Sequence, residues 1–133
     1  MSRCGYDDSC DGWDLIRYRG AVASAIRGKR GQAFLRELLA ALDALPEKRL
    51  IANELIRSDG ECCALGAVGK VRGLTLDEIE PDDRYTVAEV FGIAEAMSSE
   101  IMFVNDEMAY SATPGQRYSC VRQWVIEHLN DPA

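Results

Sequence analysis

Two adjacent cysteines, Cys62 and Cys63, stand near the head of the small, apolar, glycine-spaced run ECCALGAVGKVRGL, directly after the turn signal Ser58-Asp59-Gly60. A thiol at a helix N-terminus can be acidified by the helix dipole, which makes a nucleophile of it. The base that such chemistry needs is scarce. His128 is the single histidine, and a Cys-His-Asn set would have to recruit it together with Asn105. Free cysteine is also among the most buried residue types. Packing beside Ala64, Leu65 and Val68 is therefore the stronger reading, and a cysteine-dependent enzyme the weaker one.

Metal and nucleotide chemistry have less support. Cys4 and Cys10 are five residues apart, with no C-x-x-C or H-x-x-x-H pair to complete a zinc tetrahedron. DDSCDG offers Asp7, Ser9, Asp11 and Gly12 as the first half of a calcium loop, but Tyr18 stands where the bidentate Glu belongs. Gly66, Gly69 and Gly73 lack the phosphate-cradling spacing, and no G-x-x-x-x-G-K-[ST] occurs. Neither a metal nor a cofactor is expected.

Charge is more informative. The formal net charge of -7 conceals a segregation along the chain. Arg17, Arg19, Arg27, Lys29, Arg30 and Arg36 crowd one stretch without an acidic residue. Between Thr75 and Glu107, ten acidic residues face Arg84 alone. Such asymmetry shapes the outer field and with it the choice of partners. The candidate partner-binding acidic face is Asp77, Glu78, Glu80, Asp82, Asp83, Glu89 and Glu95, whose carboxylates could stand where phosphates would before a basic protein. The candidate basic patch is Arg17, Arg19, Arg27, Lys29 and Arg30, which makes a nucleic-acid-binding accessory protein the first alternative. Pairing of the two patches across a homo-oligomer is a further possibility. VAEVFGIAEAMSSEI has the Ala88…Gly92-Ile93 core of a helix-turn-helix, yet its second helix would carry Glu95 and Glu100 and no cation, which repels phosphate.

The elements that must position these residues read as mostly helical: a compact bundle of four to five helices, with one small β-hairpin over residues 49–63. Residues 1–12 read as a polar arm and 13–133 as one helical domain, with no repeat or linker between. Leu15, Tyr18, Val22, Ala25 and Ile26 recur at helical spacing, and GKRG (28–31) breaks the chain. Leu35, Leu38, Leu39, Leu42 and Leu45 then form one apolar stripe that Pro46 stops. RLIANELI, residues 49–56, followed by Ser58-Asp59-Gly60, points to a strand entering a turn. Thr75-Leu-Asp-Glu78 opens a single turn before Pro81. Thr86-Val-Ala-Glu89 is a capping box that starts a longer helix, with Gly92 as a point of division into two, and Thr113-Pro114-Gly115-Gln116 starts the last helix. In FVNDE, Asn105 should end a helix, with Asp106 and Glu107 near Arg117 and Arg122.

Hydrophobic residues at 47% and charged residues at 28% are the balance of an ordinary globular protein. No run approaches the roughly 20 apolar residues of a membrane span, and MSRCGYDDSCDGW has no apolar signal core. A cytoplasmic location without membrane contact is expected. The odd count of five cysteines fits reduced thiols.

Taken together, ECCALGAVGKVRGL, VAEVFGIAEAMSSEI, FVNDE and TPGQRYSCVRQWV resemble a family of small uncharacterised bacteriophage and prophage proteins, over roughly residues 17–129. The resemblance brings no catalytic residues. It implies context, a phage product in a bacterial cytoplasm; a small, acidic protein there without a credible catalytic centre is expected to work by binding a host or phage protein, with inhibition of a defence system as one such role.

Overall fold

A computed structural model describes residues 12–80, 83–108 and 112–130, with side chains from Ile16 onward. Among them run six α-helices: α1 (Gly12–Arg27), α2 (Lys29–Ala44), α3 (Ala64–Arg72), α4 (Arg84–Phe91), α5 (Glu95–Phe103) and α6 (Pro114–His128). The chain is mostly helical, as its periodicity indicates, but it holds one helix more than the upper expected number.

Helix α5 lies against α1, α3 and α4, while α2 lies against α1, α3 and α6. Leu35, Leu38 and Leu42 of α2 meet Leu65 and Val68 of α3, Met97 and Ile101 of α5, and Val121 and Val125 of α6 in one continuous core. The leucine stripe thus faces inward. No described helix is long and apolar enough to cross a membrane.

Local chemistry sets most boundaries. Only Gly28 interrupts α1 and α2, so α2 starts three residues before Gln32 and Gly31 lies inside it. A Cβ on Gly31 would sit 1.9 Å from the carbonyl oxygen of Ala25, so only glycine allows this approach of the two helices. Helix α4 is capped by Asp83, not Thr86: the Asp83 carboxylate accepts from the Thr86 amide at 3.2 Å and hydroxyl at 2.7 Å. Gly92, at φ 70° in the left-handed region, does divide α4 from α5. Thr113 and Gln116 form the reciprocal capping box that starts α6.

The hairpin is not formed. Residues 49–63 make a single antiparallel bridge, Ile56 with Cys62, and no strand. The Ile51 amide donates to the Cys62 carbonyl, while the Cys63 amide donates to that of Leu55, so the two sides do not keep a common register. Asn53 breaks any ladder with φ 67°. Leu50, Ile51 and Leu55 are buried all the same. Their apolar spacing comes from burial under α3 and the end of α5, not from a pleated sheet.

Candidate functional site

A buried polar knot holds that irregular segment in place. Beyond α5 the backbone makes one π-helical turn, Val104–Met108, which turns Asn105 and Asp106 inward. Asn105 Oδ1 accepts from the Ala64 amide at 3.0 Å, at the start of α3. Its Nδ2 donates to the Ile51 carbonyl and to Asp106 Oδ1, both at 2.8 Å. Asp106 Oδ1 also accepts from the amide of left-handed Asn53. Arg117 of α6 donates from Nε to the Asn105 carbonyl at 2.8 Å and from Nη1 to that of Leu50. FVNDE therefore does not cap a helix end. Arg122 pairs instead with Asp43 on α2.

The cysteines sit beside this knot. Cys63 is the N-cap of α3, its Sγ accepting from the Gly66 amide at 3.4 Å. Cys62 is only 3% exposed. Burial, and then the neighbouring Cys63, push its thiol up to about 11. Cys62 is therefore no thiolate at neutral pH. The cavity at Cys62, which includes Arg49, Glu61 and Lys70, shares no residue with the one at His128, which includes Arg19, Glu100 and Glu127. His128 stacks on Trp124 with ring centroids 4.6 Å apart. Among the described residues, no Cys-His pair is assembled.

A thiol reagent applied at pH 8 to the folded protein should therefore modify the half-buried Cys120 well before Cys62, as read by mass spectrometry of the digest. Labelling of Cys62 as fast as Cys120 would reopen thiol chemistry. Because the folded protein keeps the Cys62 proton above the ordinary thiol value of 9.0, this group makes stability fall as pH rises from about 9 to about 11.

The acidic run sorts into three groups. Glu100 and Asp106 are buried. Glu100 receives Tyr18 Oη and Arg19 Nη1 at 3.4 Å each, so Arg19 is drawn out of the expected basic patch. Glu95 is neutralised by Arg84 at 2.9 Å, and Asp83 is committed to its cap, its carboxyl held below the usual range by the Thr86 hydrogen bonds. Asp77, Glu78, Glu80 and Glu89 remain exposed or nearly so, with no cation bridging them among the described residues. Asp82 lies outside the described residues, as do the arm 1–11 and the zinc and calcium readings placed on it. Among the described residues, no group of three or more His, Cys, Asp or Glu is placed to hold a metal.

Set beside protein families, curated proteins and solved structures, the chain matches none.

The acidic run begins at a cavity of about 390 Å³ lined by Ile56, Leu74, Leu76 and Asp77, with Arg57, Ser58 and Thr75 completing it. It leads on into α4, where Tyr85 is 65% exposed on the same helical face as Glu89, four residues on. Sequence reasoning found the carboxylates but not this apolar floor. Leu74-x-Leu76 is its only trace there, and a turn of that length carries no periodicity to show what it lines.

Proposed function

We propose that the chain is a protein-interaction module whose working surface is the 74–89 edge, and that its partner presents lysine or arginine around an apolar side chain. The supporting observation is the juxtaposition at the cavity: an apolar floor of Ile56, Leu74 and Leu76 edged by Asp77, with exposed Glu78 and Glu80 following along the chain and no ion pair to any of the three among the described residues. Apolar contact at the centre supplies affinity, and unpaired rim charge steers the encounter and rejects anionic partners. Tyr85 extends the surface with an exposed aromatic of the kind that anchors interfaces. With the phage resemblance, the proposal extends to a host protein, a defence component included, or another phage protein as the partner in a bacterial cytoplasm. The thiol-enzyme alternative has no comparable support, given the raised, buried thiol of Cys62.

The test is capture from bacterial lysate followed by titration of the purified captured protein. D77K/E78K/E80K should weaken its binding by at least about tenfold at physiological salt and flatten the salt dependence, because three attractive charges become repulsive. Equal affinity of the variant and the original chain for every captured protein would overturn the reading.

A further inference from the structure

We infer that the corner between α1 and α2 is a docking surface for the phosphate backbone of nucleic acid, formed by Arg17, Arg27, Lys29, Arg30 and Arg36. This surface is separate from the acidic edge and does not rest on it. Every other described lysine or arginine is bonded to a carboxylate or a carbonyl. The five that are not all fall on these two helices, in a stretch without one acidic residue. Elsewhere among the described residues the fold bonds its cations to an acceptor, and here it leaves them exposed, Arg27 at the mouth of a cavity that Glu100 and Glu127 also line.

Their arrangement suits a long anion. On α1 the exposed stripe runs Arg17, Gly20, Ala21, Ser24, Arg27, and on α2 it runs Lys29, Ala33, Arg36, Ala40. Between the cations stand only small side chains, and nothing lies within 4 Å of a Cβ built on Gly20. Long cationic side chains thus rise from a low surface that a rod-like backbone can approach closely. Arg17 and Arg27 are separated by about 15 Å of helix, at about 1.5 Å per residue, which spans about four phosphates of one strand.

The start of α2 shows that this charge does not serve the fold. Gly28 offers no side-chain cap, no carboxylate stands in the first turn, and Lys29 and Arg30 occupy it instead. Cations at the positive end of a helix dipole disfavour the helix, and an anion placed there relieves them. Four of the five cations are arginines, whose planar fork matches phosphate oxygens. An anionic membrane is the poorer fit, because Phe34 and Leu35, which stand between Arg30 and Arg36, are buried and Ile16 is the only exposed large apolar side chain among the described residues of these two helices. The acidic remainder of the molecule repels phosphates and so restricts their approach to this corner.

The test is fluorescence anisotropy of the full chain with a labelled single strand and a duplex of about 20 nucleotides each, over about 50 to 200 mM salt. Binding is expected at low salt, with log K against log[salt] falling at a slope of about -3 to -4, the value for four contacted phosphates. R27E/K29E/R30E should lose at least about tenfold in affinity and most of that slope, and the milder R27Q/K29Q/R30Q should lie between, with unchanged thermal unfolding. D77K/E78K/E80K should not weaken this binding, so failure of the acidic-edge reading leaves it intact. No binding at low salt, or equal binding by the charge-reversed variant, would overturn the inference. So would retention of phosphatidylserine vesicles alone, or charge-dependent self-association through a second copy's acidic edge in its place.

Discussion

Replacing Asn105 with alanine should lower unfolding stability by about 3 to 5 kcal/mol, one of the largest losses that a single polar side chain of this protein can cause. The side chain is 1% exposed and serves three partners at once: the Ala64 amide, the Ile51 carbonyl and Asp106. Truncation strands two buried backbone groups and removes a donor from a buried carboxylate, at about 1 to 3 kcal/mol for each group left unpaired. Urea unfolding should show a lower midpoint at unchanged slope. A loss below about 1 kcal/mol would mean that water reaches the knot and replaces the amide.

Gly66→Ala should be comparably severe, at about 3 kcal/mol or more, for a steric reason. A Cβ on Gly66 would lie 1.9 Å from the Leu55 carbonyl oxygen and 2.9 Å from Cys62 Cβ. The obstructing atom belongs to backbone that already accepts the Cys63 amide, so it cannot turn aside. Gly20→Ala is the control. Its Cβ meets nothing, and it sits within α1, so the same chemical change there should stabilise by about 0.5 to 1 kcal/mol. Equal thermal stability of the two variants would refute the close seating of α3 on the 49–63 segment.

What was legible in the sequence is what repeats or what punctuates. The leucines of α2 announced a buried face because a helix returns every 3.6 residues, and Gly92 and Thr113 announced boundaries through local backbone chemistry. Residues 49–63 misled because Leu50, Ile51, Leu55 and Ile56 are spaced for burial without a ladder. The groups that satisfy this backbone, Asn105, Asp106 and Arg117, lie more than forty residues away along the chain. The acidic run misled differently. A carboxylate counted in a run carries no sign of its direction, and Glu100 and Asp106 point into the protein while Asp77, Glu78 and Glu80 do not. On the basic side, Arg19 is taken by Glu100, and Arg36 stands with the uncompensated cations instead.

The single π-helical turn has a dynamic consequence. Because its side chains, not a ladder of strands, close the hydrogen bonds of Asn53 and Ala64, those amides are released to solvent deuterium when the turn loosens from Arg117. Stretches distant in the primary structure therefore breathe as one cooperative unit, and the end of α5 acts as the latch for the floor on which α3 rests.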